Sequence, residues 1–295
     1  MSSSWPRISV VMPSLNQASY IEDALHSVLG QAYPALEIIV IDGGSTDGTV
    51  DILRRHAQHL AYWHSRPDDG QADAINKGMA LANGRILCWL NADDLLLPGS
   101  LRRAAEALRP SVGHPAFVHG ASICMSDTDA GVAPAACPVH PSPPEPGHDI
   151  TTLDFVAQPS AFWTAELASA VGPLATTYDY AFDWEWFIRA SRRVALSYTP
   201  HFLSIYRVHA SQKTRTGDQK RRQEILDIVE TYAPRDWQRT YRRIAAAYGR
   251  IHRTRTALEQ LHVPFRRSIL AHAAPVLVGA WVTPGRFKQV MAMLR

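Results

Sequence analysis

The chain has 295 residues and a formal net charge of +3, enough for one sizeable hydrophobic core with a smaller appendage. Its three cysteines, Cys88, Cys124 and Cys137, are too few and too scattered for a disulfide framework or a cysteine metal site, so a reducing, cytoplasmic location is expected. Met1 to Arg7 lacks the charged and apolar regions of a signal peptide, and no run reaches the roughly 18 apolar residues of a membrane-spanning helix.

The first hundred residues alternate strand and helix signals. Ile8 to Met12 is a short β-branched run ended by Pro13 and Ser14. Tyr20 to Leu29 has helical periodicity, and Glu37 to Ile41 is a second buried strand running into Asp42-Gly43-Gly44-Ser45. Thr49 to His59 reads as a helix, Ala61 to Trp63 as a strand, and Gln71 to Ala82 as a helix stopped by Asn83-Gly84. Ile86 to Leu90 is a fourth strand, ending at Asn91-Ala92-Asp93-Asp94, and Gly99 to Leu108 is a helix. Short strands separated by helices imply βαβ units, a largely parallel sheet, and ligand binding at the strand C-termini.

Farther along, Ala116 to His119 and Ser160 to Trp163 read as strands, with Asp127 to Asp149 a Pro- and Gly-containing loop between them. Trp184 to Arg192 reads as a helix; Ala195 to Tyr198 and Leu203 to Val208 read as two further strands. From Asp218 the pattern is helical and basic. From Lys213 onward 17 Lys/Arg stand against 6 Asp/Glu, while the rest of the chain is net negative. A basic tail on an acidic body favours an anionic partner, a membrane surface rather than nucleic acid, although a solvated helical face has the same composition. Phe265 to Leu294 mixes apolar with basic residues and is the segment expected to lie on an inner membrane face.

Three clusters carry candidate chemistry. Asp42 at a strand end, followed by glycines and a helix start, suits hydrogen bonding to a nucleoside; the same residues also suit a turn that caps the next helix. Asp93 and Asp94 are adjacent carboxylates after an apolar strand, unfavourable unless compensated by a hard cation such as Mg²⁺ or Mn²⁺ or by a helix start near Leu95. Asp183 and Glu185 open a Trp-rich helical run, where one acid suits a general base and the rings suit a sugar face. His209, in isolation, carries no role. G-x-G-x-x-G, P-loop, G-x-S-x-G and H-E-x-x-H motifs are absent.

In this order and spacing, from Ile8 to about Thr214, the residues resemble the family 2 glycosyltransferases. Ile8 to Asn16 resembles their opening strand and nucleotide turn, Asp42 to Thr49 the second turn, and Asp68 to Gly78 the helix beneath the donor. Asn91 to Asp94 resembles the metal motif, Asp183 falls at the catalytic base, and Tyr206 to His209 resembles the closing motif. The resemblance implies an α/β GT-A fold over residues 1–216 with a helical basic extension over 217–295. It implies an inverting transfer from a nucleotide diphosphate sugar to a glycan or lipid-linked acceptor, in cell-surface polysaccharide or glycolipid biosynthesis. Asp183 would be the base, and Asp94 with His209 would hold Mg²⁺ or Mn²⁺. Pro13, Asn16, Asp42, Gly44, Arg66, Asp69, Asn76, Asp93 and Glu185 would contact the donor or substrate. The chain departs from the family at Gly43, where a second acid often reads the base, and at Glu185, commonly Asp. The rival readings are a nucleotidyltransferase and a non-catalytic sugar-nucleotide-binding protein; a glycosidase would also use two carboxylates, but a strand-end diphosphate site does not suit one.

Overall fold

The computed structural model describes residues 5–128, 131–135, 149–213, 218–260, 278 and 282–294. Among these the chain divides into two units, the first comprising residues up to 146 and 155–212, the second 147–154 and 213–295.

The first unit is an α/β sheet. Its strands are β1 (Ile8–Ser14), β2 (Leu36–Asp42), β3 (Tyr62–Ser65), β4 (Ile86–Trp89), β5 (Leu95–Leu96), β6 (Phe117–Thr128), β7 (Gly131–Ala135), β8 (Ala161–Thr164) and β9 (Leu196–Val208). The spatial order is β3-β2-β1-β4-β8-β6-β9-β5, with β7 paired to β6. The half containing β3, β2, β1 and β4 is all parallel, with Ser14 opposite Asp42 and Val11 opposite Trp89. The other half is mixed: β8 is antiparallel to β4 and β6, and β5 to β9, while β6 and β9 are parallel.

Helices α1 (Ile21–Leu29), α2 (Thr49–His56), α3 (Gln71–Leu81), α4 (Ser100–Leu108), α5 (Ala165–Val171) and α6 (Phe182–Ser191) flank the sheet. All seven residues of β1 are buried, as a strand covered on both faces requires. Gly78 sets how closely α3 lies on β1, because a Cβ there would stand 2.4 Å from Val11 Cγ1.

Three expectations are corrected, and one helix is added. The segment 127–149 is not a single loop: β6 continues through Thr128 and pairs with β7, residues 136–148 lying outside those described. No helix starts near Leu95, which instead pairs with Ile205 as β5. The two strands expected at Ala195 to Tyr198 and Leu203 to Val208 are one strand, β9. Its pairing with β6 shifts register around Gly120, where a Cβ would lie 2.6 Å from the His201 carbonyl. Helix α5 carries too short an apolar signal to read from sequence; Thr164 caps it by accepting from Leu167 N–H.

The second unit contains α7 (Asp218–Tyr232), α8 (Arg235–Gln260) and α9 (Pro284–Met293). Ile225, Ile228, Val229, Ile244, Ile251 and Val290 supply its buried residues, and the Tyr241 hydroxyl donates to the Thr152 carbonyl at 2.7 Å. Only α9 of the membrane-lying segment expected over 265–294 forms a described element. No helix among the described residues is long and apolar enough to cross a membrane.

Candidate active site

The parallel strands deliver two turns to one edge. Asn16 sits after β1 in the left-handed region, φ 52°, which asparagine tolerates better than most residues. Its Oδ1 accepts from Thr46 N–H at 2.9 Å and its own N–H donates to Ser45 Oγ at 2.7 Å. Gln17 N–H donates to Thr49 Oγ1 and Ala18 N–H to Asp47 Oδ2, both at 2.9 Å. The turns after β1 and β2 are therefore sewn into one cradle. Pro13 lies within β1 opposite Ile41, beyond the last residue β4 pairs with, so its missing N–H leaves no gap in that ladder. Ser14 Oγ is buried in this region without a hydrogen-bond partner among the described residues.

Asp42 is fully buried and organises the second turn. Its Oδ2 accepts from the N–H groups of Gly44 and Ser45 and from Ser65 Oγ at 3.1, 2.8 and 2.6 Å; Oδ1 accepts from Ser45 Oγ at 2.5 Å. A carboxylate so engaged shapes the turn and has little capacity left for a nucleoside. Gly44, at φ +89°, closes that turn against Pro67.

The second cluster follows β4. Asp94 is 1% exposed; its Oδ1 accepts from Arg207 N–H at 3.1 Å and its Oδ2 from Asn91 Nδ2 at 3.3 Å. Burial, and secondarily the Asp93 charge, push its carboxyl well above the usual carboxylate range. The sequence-based metal ligand is thus turned into the protein. Asp93 is less buried, and its Oδ2 lies 3.1 Å from Nε2 of His209, which is 2% exposed. Tyr20 stacks on His209 with ring centroids 4.3 Å apart, and Ser211 Oγ lies 2.9 Å from His209 Nδ1. Arg207 ties the turn to α1: its guanidinium donates to the Asp93 carbonyl, to the Tyr20 carbonyl at 3.1 Å and to Asp23 Oδ2 at 3.1 Å. Gln71 donates to Asn91 Oδ1 at 2.8 Å, and Gln158 bridges Asn91 and the Trp89 carbonyl.

Helix α6 begins beside the same strand end. The Phe182 ring lies 6.4 Å from that of Trp89, and Phe187 stacks on Trp89 at 6.2 Å. Half-buried Asp183 follows Phe182 in the first turn, its Oδ1 accepting from Trp184 N–H at 2.8 Å. Glu185, expected at the substrate, is instead 4% exposed and paired with Arg189 through Nε–Oε1 at 2.8 Å and Nη2–Oε2 at 3.0 Å. Arg189 also donates to the Val171 and Pro173 carbonyls, and Trp186 Nε1 to the Gly172 carbonyl.

Asn76, expected at the donor, completes this clamp. Its Nδ2 donates to the Leu174 carbonyl at 2.9 Å and its Oδ1 accepts from Leu174 N–H at 2.8 Å. Asp69 and the Arg66 side chain are exposed; Asp69 N–H donates to Asp73, which pairs with Lys77 at 2.6 Å. Sequence reasoning gave no individual role to Tyr20, Asp68, Gln71, Asn91 or Arg207, though each falls in a quoted motif. Gln158 had no sequence signal.

The glycosyl transferase family 2 model matches residues 9–112, which contain both turns and the Asn91 to Asp94 segment. Over those residues the chain matches the family 2 glycosyltransferases. A putative teichuronic acid biosynthesis glycosyltransferase, TuaG of Bacillus subtilis, is 40% identical over 106 residues, 34% of this chain and 41% of that protein. A PGL/p-HBAD biosynthesis glycosyltransferase of Mycobacterium tuberculosis is 29% identical over 197 residues, 65% of this chain and 72% of its own length. The chain spans less than half the length of the first two curated relatives it matches. Two solved structures share the fold. Staphylococcus aureus TarS 1–349 in complex with UDP-GlcNAc has TM-score 0.59 and 16% identity, over 96% of this chain and 90% of that one. The mannosyltransferase PcManGT of Pyrobaculum calidifontis, in complex with GDP-Man and Mn²⁺, has TM-score 0.61 and 20% identity, over 99% and 86%.

Proposed function

We propose that this glycosyltransferase moves a sugar from a nucleoside diphosphate to an acceptor hydroxyl with inversion at the anomeric carbon, assisted by a divalent cation. The carrying observation is the Asp93–His209 pair, 3.1 Å apart beyond the end of β4, beside a two-turn cradle that contains the unpartnered Ser14 hydroxyl.

The donor set fits Mg²⁺ or Mn²⁺. Among the described residues no group of three or more His, Cys, Asp and Glu gathers, so the protein offers one carboxylate and one imidazole. Such ions accept one or two protein ligands and take substrate phosphate oxygens for the rest. With the ring proton on Nδ1, that N–H can donate to Ser211 Oγ at 2.9 Å, which leaves the Nε2 lone pair for the cation. The bound ion would neutralise the diphosphate as its bond to the sugar breaks. Asp94 would stay inside, holding the 91–94 turn on β9. The acceptor oxygen would attack the anomeric carbon opposite the diphosphate, which departs with the bonding electrons. Asp183 would take the acceptor proton.

The names of the curated relatives support cell-envelope glycan or glycolipid synthesis as the setting. The membrane reading finds its support in α8, whose exposed face carries Arg235, Arg239, Arg242, Arg243, Arg250 and Arg253; of these, Arg242 pairs with Glu230.

A panel of nucleotide sugars, titrated with and without Mn²⁺ and then assayed for transfer or hydrolysis, tests the function. One should bind in an Mn²⁺-dependent way, Asp93→Asn should remove that dependence, and Asp183→Asn should bind normally but turn over at less than a hundredth of the parent rate. Binding of none, or pyrophosphate release from a nucleoside triphosphate, would refute the reading.

A further inference from the structure

We infer that Asp68 reads the base of the donor nucleotide, and that it favours bases carrying a ring N–H, as uracil, thymine and guanine do, over cytosine and adenine. This rests on the proposed nucleotide donor and names its class.

The turn after β2 has Gly43 directly after Asp42, and the space a side chain would fill there is occupied from elsewhere. A Cβ on Gly43 would stand 3.1 Å from Asp68 Oδ2 and 3.3 Å from both Asp68 Oδ1 and Cγ. A carboxylate delivered by the segment after β3 therefore stands beside the end of β2. That segment is held along the turn. Ser65 Oγ donates to Asp42 Oδ2 at 2.6 Å, Arg66 N–H to the Asp42 carbonyl at 2.9 Å, and Pro67 lies against Gly44. Asp68 itself is fixed by Gly70 N–H, which donates to Oδ1 at 2.9 Å. Oδ2, the oxygen nearer Gly43, has no hydrogen-bond partner among the described residues.

The neighbouring acids are worse placed. Asp42 already accepts four hydrogen bonds, three from Gly44 and Ser45 in its own turn and one from Ser65, and Asp69 is exposed.

The selectivity follows from the donor and acceptor inventory. An ionised carboxylate only accepts, so Oδ2 can take the N3–H of uracil or thymine or the N1–H of guanine. Cytosine N3 and adenine N1 present lone pairs at the corresponding ring position, and these repel the carboxylate. A site built to accept from a ring N–H rejects a base that lacks it more strongly than an apolar pocket rejects a change of shape.

The test titrates UDP, dTDP, GDP, CDP and ADP, with Mn²⁺, into the full chain and three variants. The parent should bind at least one of UDP, dTDP and GDP about tenfold or more tightly than CDP and ADP. Asp68→Asn should weaken that nucleotide about ten- to a hundredfold, the scale of a lost hydrogen bond to a charged group, and leave CDP unchanged or tighter. Gly43→Asp should also weaken binding, because two carboxylates then compete for one space. Gly43→Asp with Asp68→Ala should recover to within about threefold of the parent, which shows that the acid can be relocated and that the variants fold. Binding without base preference, or a preference unchanged in Asp68→Asn, would overturn this assignment alone. Failure of all five nucleotides to bind the parent would overturn it together with the functional reading.

Discussion

Replacing Asn76 separates two roles that its position in α3 leaves open. As a donor contact, its loss would weaken nucleotide binding and leave the fold unaffected. The structure gives it to Leu174 instead, through hydrogen bonds of 2.9 and 2.8 Å. Leu174 is 5% exposed, so its backbone N–H and C=O have little access to water once their partner is gone. Two net hydrogen bonds are worth about 2 kcal/mol, and desolvated orphan groups raise the cost of Asn76→Ala toward about 4 kcal/mol. With a urea slope of about 2–3 kcal/mol/M, the unfolding midpoint should fall by about 1 M or more. Because 171–174 precedes the start of α6, the variant should also slow transfer through Asp183 while nucleoside diphosphate affinity stays within about threefold. The two measurements are urea unfolding followed by fluorescence and titration of the nucleotide by calorimetry. Parent-like stability with a tenfold loss of nucleotide affinity would refute the clamp and restore Asn76 as a donor contact.

Two further outcomes follow from groups outside the cradle. His119 is 1% exposed among Phe117, Phe155 and Tyr198, and burial pushes its pKa from 6.5 down to about 4. The unfolded chain therefore protonates this residue where the folded one does not, and its contribution to stability is lost as pH falls from about 6.5 to about 4. That is about 2.5 kcal/mol between pH 7 and pH 4.5; urea unfolding of His119→Phe at both values should show that much less loss than the parent, and equal losses would contradict the origin assigned. The arginine face of α8 should carry the chain into the pellet with vesicles of anionic phosphatidylglycerol but not with neutral phosphatidylcholine, at about 1 kcal/mol per contacting arginine. Arg239→Glu with Arg243→Glu and Arg250→Glu should abolish this, and pelleting that persists in the triple variant would exclude that face.

The parallel half of the sheet was legible because β1, β2 and β4 are continuous apolar runs ended by Pro, Gly and Asp, and because their connecting helices have clear period and stops. The antiparallel half was less so. Its pairing depends on partners distant in sequence: β5 is two residues long and exists only because Leu95 and Leu96 meet Ile205 and Ser204. Likewise, Asn76 and Glu185 are polar residues in helices, and sequence spacing cannot say whether such a side chain meets a ligand or a neighbouring backbone. The decision was made by Leu174 and Arg189, 98 residues away in the first case and four in the second. Gln158 had no chance of being found, since its meaning comes wholly from Asn91 and Trp89, about 70 residues earlier in the chain.

Asp93 and Asp94 are the last two residues of a turn closed by Asp94 N–H, which donates to the Asn91 carbonyl at 3.0 Å; Asp93 is partly exposed there and Asp94 is buried. A buried carboxylate needs hydrogen-bond donors, and burial raises its proton affinity. Asp94 has both: the Arg207 and Asn91 N–H groups, and a carboxyl pushed upward by burial. The same Arg207 donates to the Asp93 carbonyl, so β9 clasps the turn from inside and holds the Asp93 carboxylate against His209 two residues farther on. The inward acid is then the means by which β9, and with it His209, is registered on the 91–94 turn. Substituting it would displace both members of the Asp93–His209 pair at once, and loss of metal dependence in an Asp94 variant would not by itself show that Asp94 touches the metal.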